Sequence, residues 1–241
     1  MLSAYAKSSL REAGGWRPAN GSVGAVSWSV TVSAEVDSLP RLHLVTDDAV
    51  LERPDFRSLT RDLLFEGRAR VALHLRGPGL SGRRLWELAV DCASIAEETG
   101  ALLFINDRVD IALACDAAGV QLGRMAIPVG RARRLLGTRF LIGASIHSPD
   151  EAKRAIAEGA DFVVAGTLFE TPTHPDRPPA GVAWLAGLSN LGVPVIGIGG
   201  VSRERVDDVL GGGAYGVAAI RGIWRAPAPV MAVREYLDGM E

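Results

Sequence analysis

The sequence is poor in cysteine and histidine, and it carries no excess of either charge. Two cysteines occur among 241 residues, Cys92 and Cys115, with no CxxC pair and no histidine cluster beside them. Both read as small buried hydrophobes in a reducing compartment. The four histidines are scattered and no HExxH motif occurs, so a catalytic zinc site has no ligand set. There is no G-x-S-x-G elbow to expose an activated serine. Twenty-six basic residues face 28 acidic ones, a net charge of -2, and nothing in that balance favours nucleic acid or an anionic membrane surface. No run of about eighteen apolar residues appears. The first residues, MLSAYAKSSLREAGG, lack the apolar stretch of a secretory signal. A cytoplasmic enzyme-like domain is expected, with no nucleic-acid or membrane partner.

What the chain does have is apolar material, 48% of its residues, and 28 glycines. It is organised around PVIGIGG at 194–200, read as a short strand ending in two glycines, with a Ser202-capped helix expected after it. GVAAIRGIW at 216–224 repeats the idea. Strand ends that bare backbone N–H groups suit a phosphate. Their bland reading is tight packing of helix on strand. Earlier in the chain, short apolar runs alternate with helical patterns. The strands read as LHLV, VALHLR, ALLFIND, GVQLG, FLIGASIH and ADFVVAG, before the two glycine units. A helix is expected over 182–191. Near-continuous apolar strands fit parallel pairing buried on both faces. Phosphate-type loops late in the chain favour strands seven and eight of a single (β/α)8 TIM barrel, an α/β fold, over a doubly wound open sheet. Residues 1–39, with Trp16, Trp28 and an edge-strand candidate at 27–32, read as an N-terminal arm or extension, partly disordered; residues 40–241 read as the barrel domain.

In such a barrel the strand ends form the site. They supply Thr46 and Asp47, His74 and Arg76, Asn106 and Asp107, Gln121 and Arg124, Ser145 and His147, then Thr167, Thr171, Thr173 and His174. Gly199 and Gly200 follow the seventh strand, and Ala219, Ile220 and Arg221 the eighth. Guanidiniums beside glycine loops predict a small phosphate ester as ligand. His147 is the acid–base candidate, its ordinary pKa lying near 6.5; its alternative is a structural histidine beside the Ser148-Pro149 cap. Asp47, Asp107 and Asp110 could gather a magnesium ion but do not require one.

LHLVTD at 42–47, INDRVDIALACDAAGVQLG at 105–123, GASIHSPDEAKRAIAEGADFVVAGTLFETPTHP at 143–175, PVIGIGG and GVAAIRGIW together resemble the thiamine phosphate synthase and TenI superfamily of (β/α)8 barrels, over about three quarters of the chain. Synthases of this kind join a pyrimidine diphosphate to a thiazole phosphate. Their R-E-K triplet is here Arg76-Gly77-Pro78, their second magnesium aspartate is Ala126, and the lysine of their T-P-T-K loop is His174. Asp107 remains. The losses fall on diphosphate and metal handling. The resemblance therefore implies a TenI-like thiazole tautomerase, an isomerase without cofactor. His147 would move the proton and Arg76 would hold the substrate carboxylate. Asn106, Ser145, Thr167, Gly199, Gly200, Ala219, Ile220 and Arg221 would bind the substrate. Two alternatives stay open: a thiamine phosphate synthase using Mg2+ at Asp107, and a non-catalytic thiazole phosphate binder. The resemblance and the apolar arm also imply a homodimer.

Overall fold

The computed structural model describes residues 39–171, 178–188 and 190–241. Eight parallel strands close into a barrel in sequence order, each hydrogen-bonded to the next and the last to the first. They are β1 Leu42–Val45, β2 Val71–Leu75, β3 Leu102–Asn106, β4 Gly119–Leu122, β5 Leu141–Ile146, β6 Phe162–Ala165, β7 Val195–Ile198 and β8 Gly216–Ala219. The helices α1 Asp48–Leu51, α2 Phe56–Gly67, α3 Gly82–Thr99, α4 Val109–Ala114, α5 Val129–Leu136, α6 Pro149–Ala157, α7 Val206–Gly211, α8 Arg221–Trp224 and α9 Pro229–Asp238 lie among the described residues. This is the single (β/α)8 TIM barrel expected from the alternating pattern. The proposed arm lies outside the described residues except for Leu39, which packs into the interior of the barrel.

Period-two alternation sorts each strand between two cores. Leu42 and Leu44 of β1, and Val71, Leu73 and Leu75 of β2, point to the helices. Val45, Ala72, Phe104, Phe162, Val164, Ile196 and Ala218 fill the lumen. Local caps hold the helices in place. Ser81 accepts from the Arg84 N–H at the start of α3, and Gly100, at φ 76°, ends it. Ser148 accepts from the Glu151 N–H at the start of α6, with Pro149 in the first turn.

Two expected helices differ. Between β6 and β7 the described chain makes only a 3-10 turn, Ala183–Gly187, rather than a helix over 182–191. Gly181, Gly187 and Gly192 leave too short a favourable stretch for an α-helix. After β7, a 3-10 turn at Arg203–Arg205 precedes α7, and Ser202 is not its side-chain cap. The Ser202 hydroxyl donates instead to Glu204 Oε2 at 2.6 Å. The α5 helix, VGRARRLL, carries three arginines. Arg133 turns back to the carbonyls of Gly137, Phe140 and Gly159 and to Asp161, tying α5 to the starts of β5 and β6.

Candidate active site

The strand ends open into a cavity of about 520 Å³. Arg76, Asn106, Asp107, Ser145, His147, Thr167, Gly199, Gly200, Ala219, Ile220 and Arg221 all line it, as do His74, Gln121, Arg124 and Thr171. Thr46 and Asp47 do not. Thr46 is fully buried, and its hydroxyl bridges the Arg76 backbone, donating to the carbonyl at 2.9 Å and accepting from the N–H at 2.8 Å. Asp47 caps α1 by accepting from the Val50 N–H at 2.8 Å. Thr173 and His174 lie outside the described residues.

The floor is polar and only partly satisfied. Gln121 Nε2 donates to Ser145 Oγ at 3.0 Å. Gln121 Oε1 and Asn106 Oδ1 are buried without a partner among the described residues. Below them His74 meets His43, which the strand-end reading missed. Their facing ring nitrogens are 2.7 Å apart, and the far nitrogen of His43 is 2.8 Å from the Pro40 carbonyl. Burial drives His43 down to about 4, against a smaller upward pull from that carbonyl. Burial, then the neighbouring His43, takes His74 well below the ordinary histidine value. The signal for His43 was available: it alternates with Leu42 and Leu44 and so belongs to the lumen face.

His147 sits half-buried on the rim. Its backbone N–H donates to Glu151 Oε2 at 2.7 Å, and its Nδ1 lies 3.3 Å from the same oxygen. Burial pushes the Glu151 carboxyl up, but the His147 N–H and ring, with Arg124, outweigh it and hold the carboxyl low. The cap alternative for this histidine is thus built into the start of α6.

Four guanidiniums reach the cavity: Arg76, Arg124, Arg205 and Arg221. Arg205 was not a sequence candidate. It stacks over Phe169 at 4.4 Å and donates to the Gly200 carbonyl at 2.7 Å. Two carboxylates, Asp107 and Glu170, line the same space, so cations are in excess. Gly199 and Gly200 have φ of 99° and 66°. A Cβ on Gly200 would come within 2.6 Å of the Glu170 carbonyl. These glycines therefore let the β7 loop lie against the loop after β6, as well as baring their N–H groups.

The residues around Asp107 define what a magnesium ion would find. Asp107 Oδ1 accepts from the Gly123 N–H at 2.7 Å. Asp110 pairs with Arg108 outside the cavity, and no group of three metal-ligating side chains exists among the described residues. The three aspartates that could have gathered magnesium, Asp47, Asp107 and Asp110, are not brought together. Mg2+ commonly takes only one or two carboxylates, completing its shell with water and substrate phosphates. Asp107 fits that lighter role.

Comparison with known proteins places this geometry. The family profile described as thiamine monophosphate synthase matches residues 42–223. A thiamine-phosphate synthase of Gloeobacter violaceus is 36% identical over 199 residues, covering 82% of this chain and 57% of that protein. The chain thus spans little more than half the length of that relative. A thiamine-phosphate synthase of Methanoculleus marisnigri is 41% identical over 199 residues, covering 82% of this chain and 93% of its own length. The solved thiamine phosphate pyrophosphorylase of Pyrococcus furiosus superposes with a TM-score of 0.74 at 31% identity, covering 85% of this chain and 96% of that one. These relatives carry synthase or pyrophosphorylase names. They overturn the expected placement beside the TenI-like tautomerases, and with it the tautomerase activity and the isomerase class. The chain belongs to the thiamine monophosphate synthase family.

Proposed function

We propose that the protein is a thiamine-phosphate synthase, coupling hydroxymethylpyrimidine diphosphate to thiazole phosphate. The carrying observation is the convergence of four guanidiniums and two glycine-rich strand ends on one cavity. One reactant brings a diphosphate and the other a phosphate, and both need cationic and N–H partners. The family relationship and the Pyrococcus furiosus structure support the same reading.

The reaction forms a bond from the thiazole ring nitrogen to the exocyclic methylene carbon of the pyrimidine. The bond from that carbon to the diphosphate oxygen breaks, and its electron pair leaves with pyrophosphate. No proton need move at the reacting atoms, so the site requires charge stabilisation and alignment before it requires an acid or base. The N–H groups of Gly199, Gly200 and the turn at Ala219–Gly222 bind the thiazole phosphate, with Arg221 adding charge. Arg76 and Arg124 face the leaving diphosphate from β2 and β4. Magnesium, when bound through Asp107 and the substrate, supplies further neutralisation of that leaving group.

Gly77 and Ala126 stand where synthases more often carry acids. A Cβ on Gly77 would lie 2.6 Å from Leu51 Cδ1, so a side chain here requires Leu51 to shift. The cavity arginines meet the diphosphate charge directly, where those acids would act only by holding a metal ion. The test is pyrophosphate release when both substrates are supplied with magnesium. Release only with both present is expected; none above the background without protein would overturn the proposal.

A further inference from the structure

The loop after β7 lies along the loop after β6 and gives up its carbonyls one after another. The Ile198 carbonyl accepts from the Leu168 N–H at 2.9 Å, and the Gly199 carbonyl from the Phe169 N–H at 2.9 Å. The next carbonyl, that of Gly200, is taken by a side chain: Arg205 Nη1 donates to it at 2.7 Å. Gly199 and Gly200 follow this path with φ of 99° and 66°, which costs glycine little. The peptides here are trans, and a trans peptide carries its N–H opposite its carbonyl. Each engaged carbonyl therefore aims the next N–H away from its partner. The N–H groups so aimed belong to Gly199, Gly200 and Val201. None of the three has a hydrogen-bond partner among the described residues, and all three residues line the cavity.

Arg205 is itself held in place. Its guanidinium lies 4.4 Å over the Phe169 ring. Its neighbour Arg203 pairs with Asp207, whereas Arg205 pairs with no carboxylate among the described residues. Stacking and one hydrogen bond fix its plane, and its charge stays uncompensated at the cavity wall, which it lines. We infer that Arg205 is a positioning residue for the phosphate half of the cavity. Through the Gly200 carbonyl it holds the Gly200–Val201 peptide with its N–H aimed at the ligand, and its charge favours a dianion over a neutral group. A lysine could supply charge and a donor, but it has no plane to lay on Phe169. The preference for a phosphate over the matching alcohol stands apart from the synthase reading; the choice of thiazole phosphate as probe rests on it.

Calorimetry with thiazole phosphate, the thiazole alcohol and hydroxymethylpyrimidine diphosphate tests the assignment. Arg205→Met keeps an unbranched stem against Phe169 and removes the donor and the charge. It should weaken thiazole phosphate binding about tenfold or more, with the alcohol and the pyrimidine diphosphate unaffected. Arg205→Lys should recover part of that loss, a rescue that a merely structural role would not tie to one ligand. Phe169→Leu removes the platform and leaves the donor, so its loss should be smaller and equally confined to the phosphate. If Arg205→Met does not fold, Phe169→Leu carries the same comparison. Unchanged affinity for thiazole phosphate, or an equal loss for the phosphate and the alcohol, would overturn the inference. Wild-type protein that binds no thiazole phosphate would overturn it together with the synthase reading. A loss confined to the phosphate, in a protein that releases no pyrophosphate, would overturn the synthase reading alone.

Discussion

Acidification should weaken the fold through the buried histidine pair before carboxylates dominate. His43 is neutral in the folded protein, its pKa lowered to about 4, whereas an unfolded histidine titrates near 6.5. The unfolded chain therefore binds more protons below about pH 6.5, and stability falls as pH drops towards the folded value. Above about pH 6.5 the contribution is fully present. Between about pH 7.5 and about pH 5, linkage gives a loss of about 2 kcal/mol for His43 alone. His74, also lowered, adds a loss of the same sign. The contacts around the pair are the Pro40 carbonyl and the rings of Phe104 and Phe162, so no carboxylate offsets the effect locally. Urea unfolding across this pH range measures it. A His43→Phe variant should show a curve flatter by about 2 kcal/mol over the same interval. A flat wild-type curve, or an equal slope in the variant, would refute the reasoning.

Other perturbations separate structure from chemistry. His147→Gln should slow coupling by less than about tenfold, since no proton transfer is assigned to the ring; a loss of about 10²-fold or more would restore an acid–base role. Gly200→Ala should weaken thiazole phosphate binding by about tenfold or more in calorimetry, because φ of 66° and a carbonyl 2.6 Å from the new Cβ force the loop to move. Unchanged affinity would remove the glycine loop from the phosphate site. Arg133→Ala should cost about 2–4 kcal/mol in urea unfolding, because three backbone carbonyls and Asp161 lose their donor. A cost below about 0.5 kcal/mol would show those bonds to be replaceable by water.

The barrel was legible because each strand is a short apolar run followed by a helical pattern, repeated from Leu42 to Ala219. The mouth was legible for the same reason: once the strand ends are known, Arg76, Asn106, Ser145 and His147 must converge. What escaped lay in details that local sequence does not encode. Ser202 looked like a cap, but its hydroxyl is taken by Glu204. His43 was not singled out, because its meaning depends on His74, which is 31 residues away. Arg205 reaches the cavity from the turn before α7, a position the strand-end rule does not inspect. The TenI-like assignment weighed Gly77, Pro78, Ala126 and His174 as losses, two of them losses of a lysine. Charge at a cavity is a property of space rather than of one alignment column, and Arg124 and Arg205 bring guanidiniums there from other positions.

The central claim is coupling at this cavity, and the product pool measures it most directly. The purified protein is supplied with hydroxymethylpyrimidine diphosphate, thiazole phosphate and magnesium, and the products are quantified by mass spectrometry. The account predicts thiamine phosphate and pyrophosphate in equal amounts, both dependent on each substrate and both sharply reduced in Arg76→Ala. Persistence of the two substrates unchanged, with protein shown to be folded, would contradict it.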